Sequence, residues 1–336
     1  MMLKSITQTL KGAALVALSL AVLGGVAAQA QINGAGATFP APLYQKWFQE
    51  YHAEGGPAVN YQALGSGAGI KGITAHSVDF GASDAPMNAA EMAAAPGILH
   101  IPTVAGAVVI AYNVPGVGPG IQLTPGVIAD IFLGKITKWN DPAITRLNKG
   151  TNFPGTSISP AHRSDGSGTT NIFTTYLTET SSDWAGSVGA GKSVHWPAGL
   201  GGKGNAGVAQ LIKANEGGIG YIELNYAVTY SIAYAAVRNS KGVGIYPSVQ
   251  STTLAVDAVP LPADFRKVAV NTSAAKGYPI TGFTYLLVYR SGTKPEVKKM
   301  LQWMLTTGQK DAGPMQYAPL PAGVRQRALA AVSTIR

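Results

Sequence analysis

A two-lobed α/β fold is what this sequence predicts, and three observations predict it. Apolar runs of strand length alternate with segments whose apolar residues recur at helical spacing. Three junctions between strand and helix are loops of small residues, at 34–38, 65–69 and 166–169. Once a leader of thirty residues is set aside, about 306 residues remain, more than one core usually holds. Only 12% of residues are charged and 42 of 336 are glycine, as expected of a loop-rich α/β chain rather than a coiled or disordered one.

The leader comes first in the chain. Lys4 and Lys11 make a basic start, residues 12–26 are an apolar run, and Ala28-Gln29-Ala30 fits a small-x-small cleavage site. This predicts a secretory signal peptide at 1–30, too short and glycine-broken for a membrane span. With no cysteine in the chain, a lipid-modified N-terminal cysteine and a disulfide framework are both excluded. A soluble protein of an extracytoplasmic compartment, most simply a bacterial periplasm, is expected. Of the 25 Lys and Arg, two lie in the leader, which leaves an excess of about +7 over the 16 Asp and Glu. No run of five like charges occurs, so nucleic acid is not an expected partner. The diffuse positive charge suits attraction of an anion.

After the leader a short strand at Ile32 enters the loop Gly34-Ala35-Gly36-Ala37-Thr38-Phe39-Pro40-Ala41-Pro42. The prolines suit a first helical turn, and Leu43, Trp47, Phe48 and Tyr51 mark the buried face of the helix behind it. Residues 59–64 read as a strand, followed by Gly65-Ser66-Gly67-Ala68-Gly69 and a helix carrying Ile70 and Ile73. Residues 78–86 give a strand ending on Asp84. A long apolar strand or strand pair follows at 101–114, interrupted by Pro102 and Gly106. Thr124-Pro125 opens a helix stopped by Gly134, and Asp141-Pro142 opens another, both structural in kind.

Next comes His162-Arg163-Ser164-Asp165-Gly166-Ser167-Gly168-Thr169-Thr170, a loop that opens a helix with Ile172, Phe173, Tyr176 and Leu177 on one face. Asn205 is expected to cap a helix bearing Val208, Leu211 and Ile212. Strands are expected at 219–224 and 280–289. Val297, Met300, Leu301, Met304 and Leu305 mark an amphipathic helix stopped by Gly308, with a weaker one around Val324, Leu329 and Val332.

Two motifs match a pattern without its context. Gly186-Ser187-Val188-Gly189-Ala190-Gly191-Lys192-Ser193 satisfies the P-loop expression, which needs a buried strand before it and a helix after it. Here a polar segment precedes it and His195-Trp196-Pro197 follows, which a helix would not accept. Gly199-Leu200-Gly201-Gly202-Lys203-Gly204 fits the dinucleotide fingerprint, but Trp196-Pro197 breaks the strand that should lead into it. Neither nucleotide nor any other cofactor is expected. Histidines 52, 76, 100, 162 and 195 show no metal-ligand spacing, so no metal site is expected. Ser66 and Ser167 both lie outside G-x-S-x-G, and no catalytic residue is assigned.

If the loops at Thr38, Ser66 and Ser167-Gly168-Thr169 converge, they form a cage of neutral N–H and O–H donors with one cation, Arg163. Unpaired N–H groups at helix starts favour an anion, and charge-assisted hydrogen bonds are worth roughly 1.5–3 kcal/mol each. Asp165 can pair with Arg163 or serve the turn. Asp84 is the informative residue: a carboxylate repels an anion unless the anion brings a proton. Phosphate carries one at neutral pH and sulfate does not, so a buried Asp84 would discriminate between them.

These stretches resemble the periplasmic phosphate-binding proteins of bacterial ABC phosphate import, the PstS family. The resemblance rests on residues 34–42 and 78–86, on Leu133-Gly134-Lys135-Ile136-Thr137-Lys138-Trp139-Asn140-Asp141, on 165–169 and 199–205, and on Tyr317-Ala318-Pro319-Leu320-Pro321. It implies a type II periplasmic-binding fold, each lobe a mixed sheet flanked by helices, with the ligand in the interlobe cleft. Lobe I would comprise 31–103 plus 280–336, and lobe II 104–279. By motif position the phosphate contacts would be Thr38, Phe39 through its backbone, Ser66, Asp84, Arg163, Ser167, Gly168 and Thr169, with Asp165 holding Arg163. Gly67 stands where the family often has a second serine. The expected partners are inorganic phosphate and a membrane permease, and a monomer is expected. A secreted phosphomonoester hydrolase using Ser167, and a receptor for arsenate or phosphite, stay open as alternatives.

Overall fold

A computed structural model describes residues 31–336; the signal peptide expected at 1–30 lies outside the described residues. In chain order the strands are β1 (Ile32–Gly36), β2 (Val59–Ala63), β3 (Phe80–Ser83), β4 (Ile98–Asn113), β5 (Gln122–Leu123), β6 (Ser159–Arg163), β7 (Leu200–Gly202), β8 (Gly218–Glu223), β9 (Ala233–Tyr234), β10 (Ala236–Arg238), β11 (Gly244–Ile245) and β12 (Thr281–Tyr289). Nine of them form one mixed sheet in the order β2-β1-β3-β12-β4-β8-β6-β7, with β9 on β4. Three short ones form a second sheet, β11-β10-β5.

The large sheet has two halves joined by one long strand. The apolar run expected around 101–114 is a single strand of 16 residues, almost wholly buried. Its first part, up to Ala107, pairs antiparallel with β12, and from Val108 onward it pairs with β8. Where β12 stops, β9 takes the other edge of β4 at Ala111 and Tyr112. A strand buried on both faces reads as an unbroken apolar run, which is why the sequence showed no alternation there.

Small residues at this junction make room for large ones. A Cβ at Gly106 would stand 2.6 Å from Phe39 Cζ, and one at Gly282 would stand 2.3 Å from Ile172 Cδ1. Phe39 and Ile172 thus rest directly on the paired strands, both fully buried. Burying such side chains stabilises by about 1.5–3 kcal/mol each.

In the first half β1 pairs parallel with both β2 and β3, so three strands deliver their carboxyl ends to one edge. Helix Ala41–Ala53 follows β1, helix Ser66–Thr74 follows β2 and helix Ala89–Ala94 follows β3. In the second half β6 lies parallel between β8 and β7, and helices Gly168–Thr180 and Gly204–Ala214 follow β6 and β7. Thr124 and Asp141 cap their helices through Val127 and Ala143 N–H, as their sequence context implies. No described helix is long and apolar enough to cross a membrane.

Both pattern matches without context resolve in the fold. Residues 186–193 begin on the last two residues of helix Ser182–Ser187 and run on into loop. The strand-then-helix frame of a P-loop is therefore absent there. In residues 199–204 the strand lies inside the motif, as β7. The glycines serve packing: a Cβ at Gly202 would meet the Gly207 carbonyl carbon at 2.6 Å.

Candidate functional site

The carboxyl ends of β1, β2, β3 and β6 converge, and these strand ends, the loops beyond them and the first turns of the following helices carry every residue proposed for the cage. Thr38, Ser66, Asp84, Arg163, Ser167 and Thr169 are all buried.

Residues 37–39 follow β1 and are held from outside. The carbonyls of Ala37, Thr38 and Phe39 accept hydrogen bonds from the hydroxyls of Tyr61 (2.6 Å), Tyr226 (2.6 Å) and Tyr317 (2.7 Å). With these carbonyls bonded to phenols and Ala37 N donating to Ala82 O at 2.9 Å, the N–H groups of Thr38 and Phe39 are left to donate. Thr38 Oγ1 accepts from Asn205 N (3.2 Å) and Asn205 Nδ2 (2.9 Å). A hydroxyl has two lone pairs and one hydrogen, so the Thr38 hydrogen is left to donate.

Asn205 was expected to cap its helix. Instead Lys203 occupies the N-cap, without a side-chain cap bond, and Asn205 lies in the first turn, fully buried. Its Nδ2 also donates to Thr169 Oγ1 at 3.2 Å, and its Oδ1 accepts from Glu223 N at 2.9 Å. Two acceptors on one side and a donor on the other fix the orientation of the amide. The correction has a physical cause: a side chain buried between β8 and the Thr38 loop satisfies more polar groups than a solvent-facing cap would.

After β2, Gly65 has a φ of +100° and precedes helix Ser66–Thr74. Ser66 Oγ accepts from Asp84 N at 3.2 Å and Gly168 N at 3.0 Å, and donates to Asp84 Oδ2 at 3.4 Å. Asp84 follows β3 and receives a further bond at Oδ1 from Thr284 Oγ1, 2.8 Å. Burial pushes the Asp84 carboxyl up to about 7, against the opposing pull of Thr284, Arg163 and Ser66.

In the second half, Arg163 ends β6. Its Nε donates to Asp165 Oδ1 at 2.8 Å, its Nη2 pairs with Asp165 Oδ2, and its Nη1 donates to Thr169 Oγ1 at 3.3 Å. This is a bidentate fork. Asp165 Oδ1 also accepts from Gly204 N at 3.0 Å. Burial pushes Asp165 up, but the bonds and charge of Arg163 and the Gly204 N–H together hold it below its ordinary value. Asp165 thus orients the guanidinium, the pairing expected for it.

Ser167 caps helix Gly168–Thr180 by accepting from Thr170 N at 3.0 Å. Thr169 Oγ1 accepts from both Arg163 and Asn205, so its hydrogen too is left to donate. The Arg163 N–H is taken by Tyr221 Oη at 3.0 Å, which in turn bonds Thr170 Oγ1 at 2.6 Å.

The loops of the two halves meet at van der Waals distance. Gly67 N donates to Gly166 O at 2.9 Å. A Cβ at Gly168 would stand 2.5 Å from Asp84 Cβ and 2.6 Å from Ser66 Oγ, and one at Gly65 would stand 2.2 Å from Asp165 Oδ2. Gly67, where the family often has serine, lies against Gly166, with 3.2 Å from a Cβ there to Gly166 Cα. The glycine permits the loops to approach this closely.

Several residues of the site were missed in the sequence. Thr284 sits in the apolar run at 281–289, where a lone hydroxyl was the available signal. Of the clamping tyrosines, Tyr317 lies in a stretch that resembles the family, while Tyr61 and Tyr226 had no signal. Glu223, at the end of β8, is fully buried, and burial pushes it well above the ordinary carboxylate range. Among the described residues no cluster of three His, Cys, Asp or Glu could hold a metal ion.

Residues 24–307 match the family model described as a PBP superfamily domain. The phosphate-binding protein PstS of Xylella fastidiosa is 42% identical over 299 residues, covering 87% of this chain and 82% of that one. The PstS of Pasteurella multocida is 42% identical over 307 residues, covering 89% of each. Among solved structures, a high-affinity periplasmic phosphate-binding protein bound with phosphate aligns with a TM-score of 0.75 at 22% identity, over 90% of this chain and 93% of that one. A phosphate ABC transporter substrate-binding protein with bound phosphate, from Clostridium perfringens, gives 0.66 at 18% identity, over 87% and 100%. The architecture is accordingly the type II periplasmic-binding fold, and the chain belongs to the PstS family of phosphate-binding proteins.

Proposed function

We propose that this protein captures inorganic phosphate between the two halves of its sheet, outside the cytoplasm, and hands it to the membrane permease of an ABC importer. The observation that carries this reading is the state of the hydroxyls. Thr38 Oγ1 and Thr169 Oγ1 each accept two N–H bonds from the protein, and Ser167 Oγ accepts one. Their hydrogens are left to donate to an acceptor-rich guest, and Asp84 would face that guest as an acceptor. A protonated tetrahedral oxyanion has that pattern, and sulfate lacks the proton.

In this reading Thr38, Ser66, Arg163, Ser167 and Thr169 donate through side chains, and Phe39 and Gly168 through backbone N–H. Ser66 Oγ and Gly168 N, now bonded to each other, turn to the anion. Residues 31–103 with 280–336 move as one lobe and 104–279 as the other, in a monomer. Relatives named phosphate-binding proteins PstS support the ligand. The hydrolase alternative finds less support, since the hydrogen bond made by Ser167 Oγ is a helix cap rather than a link to a base.

Calorimetric titration of the mature chain with phosphate and with sulfate is the test. Tight phosphate binding with weak or absent sulfate binding is expected. Equal affinity for the two anions would overturn the assignment.

A further inference from the structure

Lys192 belongs to the P-loop-like stretch that no nucleotide explains, yet it sits where the two halves of the protein meet. Its backbone carbonyl accepts the Ser167 N–H at 2.9 Å. Its neighbour Gly191 is pinned to helix Gly168–Thr180: Gly191 N donates to Thr174 Oγ1 at 3.0 Å, and that hydroxyl is itself fixed by donating to Thr170 O at 2.8 Å. From this fixed base the Lys192 side chain crosses to helix Ala89–Ala94, in the other half, and Nζ meets Glu91 Oε2 at 2.7 Å. The side chains are only 18% and 24% exposed. Glu91 is itself held in place by a capping box with Asn88.

We infer that Lys192 and Glu91 form a latch that favours the closed arrangement and slows release of the bound anion, an inference that rests on the receptor reading above. Lys192 is a positioning residue, because it ties the Ser167 donor loop to the opposite half without reaching the cage. A pair fixed at both bases loses little side-chain entropy on forming, and partial burial shields it from salt; both distinguish it from an ordinary surface ion pair. The glycines of the stretch let the loop reach the lobe junction, which accounts for the motif without a nucleotide.

The test uses the mature chain, whose lack of cysteine allows spin labels at Lys71→Cys and Ala185→Cys, exposed positions in the two halves. Distance distributions without ligand and stopped-flow release of phosphate are measured for wild type, Lys192→Met, Lys192→Arg, Glu91→Gln and the Glu91→Gln/Lys192→Met pair. Glu91→Gln keeps the cap acceptor and removes the charge. Lys192→Met is expected to lengthen the label distances and speed release about three- to tenfold, the range of a partly shielded ion pair. Lys192→Arg is expected to stay near wild type, and the double variant to match Lys192→Met. Unchanged distances and release in Lys192→Met, or additive effects in the double variant, would overturn the latch. A wild type that takes no phosphate but opens on Lys192→Met would retain the latch and overturn the ligand reading. No phosphate and no opening would overturn both.

Discussion

Thr284 Oγ1 donates to Asp84 Oδ1 at 2.8 Å, although the two residues are 200 apart in the chain. The contact exists because β12 runs antiparallel to β3, with Tyr285 opposite Ser83. It supplies the one carboxylate of the cage with a fixed donor on the side away from Ser66.

Thr284→Val keeps the shape of the side chain and removes that donor. A buried charge that loses one hydrogen bond is destabilised by about 1–3 kcal/mol. Phosphate affinity is expected to fall about tenfold in calorimetry, with Thr284→Ser close to wild type. An unchanged dissociation constant for Thr284→Val would show that Thr284 does not set the state of Asp84.

Because burial pushes Asp84 up to about 7, the residue is ionised at pH 8 and carries a proton at pH 5. A protonated Asp84 can donate to sulfate, whereas an ionised one repels it. Sulfate binding is therefore expected to strengthen as pH falls from 8 to 5, narrowing the gap to phosphate. In Asp84→Asn the sulfate affinity is expected to vary little over the same interval.

The same group sets a trend in stability without ligand. Its folded value lies above the 3.8 of an ordinary aspartate, so between these limits the folded state holds more protons than the unfolded one. Stability from this group is full below about pH 4 and declines as pH rises toward 7. Asp84→Asn is expected to raise the melting temperature at pH 8 relative to wild type and to leave it nearly unchanged at pH 4. An Asp84→Asn protein that melts lower at pH 8 would contradict the burial argument.

Gly168 offers a test of closure. Alanine suits a helix start better than glycine, so Gly168→Ala carries no cost in helix propensity. Its Cβ would nevertheless collide with Asp84 Cβ and Ser66 Oγ from the other half. The variant is expected to fold with wild-type ellipticity and melting temperature while losing phosphate affinity at least about a hundredfold, roughly 2.7 kcal/mol.

What could be read before the structure was whatever depends on neighbours in the chain. The small-residue loops, the caps at Thr124 and Asp141, and the pairing of Asp165 with Arg163 two residues away all follow from local chemistry. Thr284 and Asn205 depend on register between distant segments. Asn205 bonds Thr38, 167 residues away, and nothing near Asn205 announces that partner, so the local preference for a cap was the available reading. The second sheet, β11-β10-β5, was missed for a related reason: strands of two or three residues carry too few positions to show a period.

The three phenols that clamp residues 37–39 are also silent chromophores. Burial holds the hydroxyls of Tyr61, Tyr226 and Tyr317 above the ordinary tyrosine range, and each is committed to a carbonyl. In an alkaline titration followed by ultraviolet absorbance, they should stay colourless while surface tyrosines ionise. They would then respond only when the turn itself comes apart. Together with Tyr44, Tyr176, Tyr221, Tyr278 and Tyr285, which burial also raises, they make the late-ionising phenols an optical gauge of the folded core and of the anion turn within it, readable without a label or a ligand.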